Sequence, residues 1–168
     1  MDKLDIYRNS HYFMTHNSIE VLTAENGYAE VCTVLSDDGR NLNGYAHGGL
    51  ISALADCAAG IAAKTDGRDY VTQTMNISYI SNIREGTLYA RGAVVSSGKT
   101  IVVVRVTICN GTGRLIADAS LNMFCIAAKD PTAPSYPDIR QKRKSETALH
   151  QRKQNASLET YMTQCRFF

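Results

Sequence analysis

One long run of small apolar residues stands in the middle of the chain, between runs whose pattern is typical of strands. Residues 50–63 are mostly Ala, Leu and Ile, and the only charge among them is Asp56. This composition over such a length predicts an α-helix from near His47 to Lys64 that is largely buried. Gly67 follows as a stop signal for the helix.

Five strands are predicted from runs rich in β-branched and aromatic residues, one before this helix and four after it. Asn110-Gly111 signals a tight turn between two of them. With a helical pattern over residues 3–18 in front, the element order predicts an α+β fold, in which one antiparallel β-sheet wraps around a long central α-helix. The predicted strands cover residues 28–35, 70–80, 87–96, 100–109 and 114–127.

The length of 168 residues corresponds to one domain with a sizeable core and a tail. We divide the chain into an N-terminal helical segment (1–19), a domain (20–128) and a basic, polar tail (129–168). The first 128 residues carry ten Lys/Arg and twelve Asp/Glu, whereas the tail carries eight and four. We interpret the tail as a solvated segment, with contact to nucleic acid or an anionic membrane as the less favoured interpretation.

The composition favours a cytoplasmic protein. No apolar stretch approaches the length that spans a bilayer, and the first five residues lack the apolar core of a signal peptide. We therefore expect free thiols rather than disulfides, and the cysteine spacing does not fit a metal site. The cysteines are Cys32, Cys57, Cys109, Cys125 and Cys165.

The sequence His47-Gly48-Gly49 at the start of the helix, with Asp56 further along it, carries the candidate chemistry. A lone carboxylate in an apolar segment is usually paired or used. Paired glycines let another group approach the N–H donors of the helix start. Donors and a carboxylate together predict acyl-transfer chemistry.

Helix geometry adds a constraint on this site. The eight steps from Gly48 to Asp56 cover about 12 Å, which is too far for one small carbonyl to contact both groups in one chain. If both act on one bond, two copies of the helix must lie side by side and antiparallel. The catalytic interpretation therefore predicts an obligate symmetric dimer.

The set Asn41, His47-Gly48-Gly49 and Asp56, with the strand over residues 75–81 and the turn over residues 98–100, resembles the hotdog-fold acyl-CoA thioesterases of the PaaI-like branch. The resemblance covers about residues 20–127. It implies a hotdog fold and a homodimer with shared active sites, and we expect dimers to pair into a homotetramer. It implies no metal or redox cofactor, because coenzyme A enters as part of the substrate.

The resemblance also implies roles for five residues. Asp56 resembles the carboxylate that activates water as general base or attacks as nucleophile, and Asn41 resembles the residue that orients that water. The N–H of Gly48 resembles the donor that polarises the thioester carbonyl, and His47 the residue that positions this turn. Thr72 lies where the family often has a hydroxyl near the water. The residues that resemble the lining of the coenzyme A channel are Gly49, Tyr79, Ser81, Arg84, Ser97, Gly98, Lys99 and Thr100.

The function implied is hydrolysis of a small, medium or aryl acyl-CoA to the free acid and coenzyme A. A non-catalytic acyl-CoA sensor is the alternative, and a hotdog hydratase or dehydratase is a third possibility. Plainer interpretations of single residues stay open: Asn41 as a turn residue, His47 as a cap, Thr72 as an ordinary strand residue. Cys57 points about 100° away from Asp56 on a helix, which disfavours a cysteine nucleophile.

Overall fold

The computed structural model describes residues 12–127. This part of the chain contains two α-helices and six β-strands, besides a short 3-10 turn at Asp37–Gly39. In chain order the elements are α1 (Tyr12–His16), β1 (Glu20–Glu25), β2 (Tyr28–Val34), α2 (Gly48–Lys64), β3 (Asp69–Tyr79), β4 (Thr87–Ser97), β5 (Ile101–Asn110) and β6 (Leu115–Ala127).

The six strands form a single sheet in the order β1-β2-β4-β5-β6-β3, and every neighbouring pair is antiparallel. Helix α2 packs against all six strands. An apolar helix of this length can bury its surface only against such a broad layer. The structure therefore confirms the predicted α+β hotdog fold, with a sheet wrapped around a long central helix.

Small residues allow α2 to approach the sheet closely. Eight α2 residues are buried, and five of them are alanine. Opposite them, a Cβ atom at Gly92 of β4 would lie 2.8 Å from the carbonyl oxygen of Ala58. Any larger residue at position 92 therefore requires the helix or the strand to shift.

Strand β3 forms one edge of the sheet, and nine of its eleven residues are exposed. Several of these are large and apolar, such as Val71, 47% exposed, and Met75, 38% exposed. The outer edge of β3 pairs with no other strand among the described residues. A long edge strand presents a row of unpaired N–H and C=O groups, to which another strand can pair.

The helix α2 and the five predicted strands are confirmed to within about one residue at each end. The count of five strands is wrong, because β1 adds a sixth. The alternation in β1 is interrupted by a register shift between Val21 and Thr23, so its pattern is weak. Asn26 and Gly27 have positive φ angles of 48° and 77°, which matches the Asn-Gly hairpin turn that signals such a strand.

The predicted division into segments falls partly outside the described residues. Within the N-terminal segment of residues 1–19, the described helix is α1 alone. The basic tail over residues 129–168 and Cys165 lie outside the described residues.

Candidate active site

Helix α2 begins at a histidine cap. His47 has extended backbone angles, φ −67° and ψ 136°, and its Nδ1 accepts a hydrogen bond from the N–H of Gly49 at 2.9 Å. A neutral imidazole that accepts at Nδ1 carries its proton on Nε2. The carbonyl oxygen of His47 accepts from the N–H groups of Leu50 and Ile51. Its side chain and main chain thus both hold the first turn.

The N–H of Gly48 is distinct from those that follow it. The first four N–H groups of a helix have no intrahelical partner. Those of Gly49, Leu50 and Ile51 bond to His47, whereas the N–H of Gly48 has no partner among the described residues. It lies at the positive end of the helix dipole, where it can bind an oxygen with negative charge.

Asp56 lies two turns along α2 and is held by a threonine of β3. The hydroxyl of Thr72 donates to Oδ1 of Asp56 at 2.5 Å. The carboxylate is half-buried, and its Oδ2 has no partner among the described residues. One oxygen is therefore oriented by the protein, and the other is available to a water molecule or a substrate.

Tyr79, at the other end of β3, contacts the start of α2. Its hydroxyl lies 2.5 Å from Oγ of Ser52 and donates to the carbonyl oxygen of Gly48 at 3.3 Å. Its ring covers Gly48 so closely that a Cβ atom there would lie 3.7 Å from the ring. Because Gly48, Ser52 and Asp56 are four residues apart, they form one stripe on α2 that faces β3.

A β-bulge lets both ends of β3 contact this stripe. Thr72 and Tyr79 are seven residues apart, and an odd separation puts two side chains on opposite faces of a regular strand. The pairing of β3 with β6 shifts register between Thr72 and Thr74, which inserts one extra residue. Both side chains therefore point toward α2. Sequence alternation alone did not reveal this bulge.

Asn41 fixes the loop that precedes the helix. Its Oδ1 accepts hydrogen bonds from the N–H groups of Asn43 at 2.9 Å and Tyr45 at 3.1 Å. Its own N–H donates to the carbonyl oxygen of Tyr45. The carbonyl side of the amide is thus occupied by the loop, and only the Nδ2 donors are available to a water molecule.

Two of the predicted channel residues lie near this loop, between β3 and β4. The guanidinium of Arg84 stacks over the Tyr45 ring, 4.4 Å from its centroid. Arg84 is exposed and forms no ion pair with any described residue. The hydroxyl of Ser81 donates to the carbonyl oxygen of Leu115 at 2.5 Å, so its proton is already hydrogen-bonded to the backbone of β6.

The predicted channel residues 97–100 form the exposed turn between β4 and β5. Arg68 reaches this turn: its Nη1 donates to the carbonyl oxygens of Gly98 at 2.9 Å and Lys99 at 3.0 Å. Its Nη2 donates to Oγ of Ser97 at 3.1 Å.

The sequence pattern did not single out Arg68 as a residue of this site. A local signal exists, because Asp66 accepts from the N–H of Arg68 in a tight turn typical of Asp-Gly sequences.

The two groups of cationic residues lie at opposite ends of β3. Arg68 immediately precedes β3 and contacts the turn that carries Lys99, whereas Arg84 follows β3. An eleven-residue strand spans about 35 Å. Within one chain, Arg84 and Lys99 are therefore not brought together.

Cys57 is beside Asp56 in the sequence but has a different environment. Burial, together with the Asp56 carboxylate, raises the pKa of the Cys57 thiol to about 12. A thiol with such a pKa stays protonated at neutral pH and is a poor nucleophile.

Comparison with known proteins identifies the family to which this chain belongs. Residues 43–117 match the profile of the Thioesterase superfamily. A Bacillus subtilis protein named "Putative esterase ComA2" is 34% identical over 61% of this chain and 89% of its own. The chain belongs to the thioesterase superfamily.

Solved structures agree with this membership. A hypothetical thioesterase protein of Streptococcus pneumoniae, solved with coenzyme A, is 29% identical with a TM-score of 0.64, over 67% of this chain and 91% of that one. The Escherichia coli PaaI protein shares the fold, with 24% identity and a TM-score of 0.70 over 74% of this chain and 91% of that one. Membership in this superfamily, together with relatives that are named as esterases or thioesterases, supports a hydrolase role for the chain.

The described residues contain neither a candidate membrane-spanning helix nor a candidate metal-binding cluster. No helix among them is long and apolar enough to span a membrane. Residues 12–127 also hold no cluster of three His, Cys, Asp or Glu side chains arranged to bind a metal ion.

Proposed function

We propose that this protein is an acyl-CoA thioesterase of the PaaI-like branch, which hydrolyses small, medium or aryl acyl-CoA to the free acid and coenzyme A. The observation that carries the proposal is the pair of reactive groups on one side of α2. One is the N–H of Gly48, which has no partner among residues 12–127, and the other is the carboxylate of Asp56 with one oxygen held by Thr72. The N–H of Gly48 can stabilise an oxyanion, and the carboxylate of Asp56 can activate an attacking water.

In the proposed reaction, the thioester carbonyl oxygen accepts a hydrogen bond from the N–H of Gly48. Asp56 either removes a proton from water that attacks the carbonyl carbon, or attacks that carbon itself. The C–S bond then breaks, and coenzyme A leaves as its thiolate, which takes up a proton. On the first route this gives the free acid directly. On the second route the acyl group stays on Asp56 as a mixed anhydride, which water then hydrolyses to the free acid and the Asp56 carboxylate. The reaction needs no metal or redox cofactor, because the thiolate is a good leaving group and the helix N–H stabilises the developing charge.

Structures of the pneumococcal thioesterase support these assignments. That protein has been solved with coenzyme A, as an Asp-to-Ala variant and as a Thr-to-Ala variant. The two substituted positions are sixteen residues apart in that protein, and Asp56 and Thr72 are sixteen residues apart here. The spacing favours the same pair of residues in both proteins.

We further propose that the active site is shared between two copies of the chain. Along α2, the N–H of Gly48 and the carboxylate of Asp56 are about 12 Å apart, so one carbonyl cannot contact both in one protomer. The exposed apolar edge of β3 supplies a surface for pairing with the partner's β3, which sets the two α2 helices antiparallel. We propose that two such dimers form a homotetramer in the cytoplasm.

A dimer of this kind also accounts for the separated cations. An antiparallel arrangement brings the Arg84 end of one β3 toward the Lys99 end of the other. The coenzyme A phosphates would then meet Arg84 from one subunit and Lys99 from its partner. The remaining proposed contacts to the substrate are Gly49, Tyr79, Ser81, Ser97, Gly98 and Thr100.

The test is thiol release from acetyl-, hexanoyl-, palmitoyl-, benzoyl- and phenylacetyl-CoA, measured in parallel for the wild type and for Asp56→Asn. The proposal predicts release by the wild type and a loss of about 100-fold to 10,000-fold in the variant, the range for a positioned acid or base. A binding measurement with coenzyme A and a melting curve show that the variant is folded. Wild type that binds acyl-CoA but releases no thiol contradicts the proposal and favours an acyl-CoA sensor.

A further inference from the structure

We propose that Arg68 is a positioning residue that fixes the β4–β5 turn for binding the nucleotide part of coenzyme A. This inference rests on the proposed function, which assigns the turn over residues 97–100 to the coenzyme A channel. Arg68 itself does not contact the ligand in this proposal. It acts through the turn that it holds.

Arg68 is anchored in the protein by Asp66, which is 3% exposed. Oδ2 of Asp66 accepts a hydrogen bond from Nε of Arg68 at 2.7 Å and forms an ion pair with its Nη2, also at 2.7 Å. The same oxygen accepts from the hydroxyl of Tyr70 at 2.9 Å, and the ring of Tyr70 lies under the guanidinium. Two contacts to one oxygen of a buried carboxylate, with the ring of Tyr70 against its face, restrict the orientation of the guanidinium.

The anchored guanidinium of Arg68 holds the β4–β5 turn by three hydrogen bonds. Nη1 donates to the carbonyl oxygens of Gly98 and Lys99, and Nη2 donates to the hydroxyl of Ser97. Apart from these, the turn is closed by the N–H of Gly98, which donates to the carbonyl oxygen of Ile101. The guanidinium thus adds three hydrogen bonds to this exposed turn and connects it to the buried carboxylate of Asp66.

Arg68 is poorly placed to bind a phosphate directly, because all three nitrogens of its guanidinium are engaged within the protein. Nε donates to Asp66, and Nη1 and Nη2 donate three hydrogen bonds to the turn. Nη2 also forms the ion pair with Asp66. Lys99 is exposed and forms no ion pair with a described residue. Its ammonium is therefore the group on this turn that is available to a phosphate, and Arg68 determines where the backbone of Lys99 lies.

The test uses Arg68→Lys, because an ammonium keeps the ion pair with Asp66 but cannot reach the three turn acceptors in the same geometry. Arg105→Lys is the matched control, since Arg105 pairs with Asp118 on β6 and does not contact the turn. The dissociation constant of coenzyme A is measured by calorimetry for both variants. Hydrolysis of S-hexanoyl-N-acetylcysteamine, a thioester without the nucleotide, reports on the reacting centre alone.

The proposal predicts that Arg68→Lys raises the dissociation constant of coenzyme A about tenfold, with hydrolysis of the short thioester unchanged and Arg105→Lys equal to wild type. Unchanged coenzyme A affinity in Arg68→Lys would overturn it, as would an equal loss with both ligands. Tyr70→Phe serves as a second variant, because it removes one contact to Asp66 but keeps the three contacts to the turn. It is expected to bind coenzyme A normally even if its melting temperature falls.

The same experiment separates this inference from the proposed function. If the wild type binds coenzyme A but hydrolyses neither thioester, the proposed hydrolysis is wrong. The effect of Arg68→Lys on coenzyme A affinity still decides the positioning role in that case. If the wild type does not bind coenzyme A, both are wrong.

Discussion

The hydroxyl of Thr72 donates to Oδ1 of Asp56 at 2.5 Å, and so connects the edge strand β3 to the middle of α2. The bond leaves the second carboxylate oxygen for a water molecule or a substrate. It also favours one Asp56 rotamer, because without this bond the side chain can exchange among the staggered rotamers that the helix allows. The proposed general base or nucleophile thus has its orientation set by another strand.

Thr72→Val and Thr72→Ser separate the hydroxyl from the shape of the side chain. Thr72→Val removes the donor at nearly constant volume, and we expect kcat/KM for the preferred acyl-CoA to fall by about 10-fold to 150-fold, since a bond to a charged group contributes about 1.5–3 kcal/mol. Thr72→Ser keeps the donor and should retain most of the activity. Equal activity in the two variants would show that the hydroxyl has no part in the reaction.

Two substitutions, His47→Asn and His47→Ala, test whether His47 acts as the cap of α2. Asn is a favoured N-cap residue and restores an acceptor for the helix start, whereas Ala costs about 1 kcal/mol of stability. We expect His47→Ala to lower the melting temperature and kcat together, and His47→Asn to recover much of both. If His47→Asn is as stable as wild type but inactive, the imidazole transfers a proton, and a purely positioning role is wrong.

Gly92 tests how the helix packs on the sheet. A Cβ atom at this position would lie 2.8 Å from the backbone oxygen of Ala58, so Gly92→Ala should destabilise the fold by about 1–3 kcal/mol through overpacking. Gly111→Ala is the control, since a Cβ atom there has no neighbour within 4 Å. Urea unfolding of both variants measures the difference. A stability of Gly92→Ala equal to that of the control would contradict the packing described.

The Cys57 thiol predicts a component of stability that depends on pH. Its pKa is raised to about 12 in the folded protein by burial and by Asp56, from an ordinary value of 9.0. Above pH 9 the unfolded chain loses this proton while the folded protein keeps it, so the free energy of unfolding falls as the pH rises toward 12. Below pH 9 the Cys57 thiol is protonated in both the folded and the unfolded state. It therefore adds no pH dependence to the free energy of unfolding.

Cys57→Ala removes this component, so its stability should fall less steeply than that of the wild type between pH 9 and 10.5, measured by urea unfolding. The variant should keep its thioesterase activity, because a protonated thiol takes no part in the proposed reaction. Parallel stability curves for the two proteins would contradict the raised pKa.

The sequence predicted the central helix and five of the six strands because each has a long, consistent pattern of its own. The run around Asp56 is apolar over several turns, and the strands carry dense β-branched residues. Strand β1 was missed because it is short and interrupted by a register shift. Its Asn26-Gly27 turn was the available signal.

The candidate site was predictable only as a set of residue types. The sequence placed Gly48 and Asp56 on one helix, and helix geometry gave their separation. It did not reveal that a bulge after Thr72 turns both Thr72 and Tyr79 toward α2, because one inserted residue leaves no mark on the apolar pattern. Arg68 was missed for a related reason: its partners on the β4–β5 turn are about thirty residues away along the chain.

The central claim is that the N–H of one subunit and the carboxylate of its partner act on the same thioester. Gly48→Pro removes the N–H and adds a pyrrolidine ring. Proline is well tolerated at the first position of a helix, and the extended backbone of His47 suits a residue before proline. Gly48→Ala is its control, because it adds a Cβ atom at a distance of 3.7 Å from Tyr79 but keeps the N–H.

The most direct measurement mixes two inactive proteins, Gly48→Pro and Asp56→Asn, under conditions in which subunits exchange. With a shared site, each mixed dimer contains one site with both groups intact. Half of the dimers in an equal mixture are mixed, so thioesterase activity should return to about one quarter of the wild-type value. If both groups of a site came from one subunit, the mixture would stay inactive, and the account of a shared active site would be wrong.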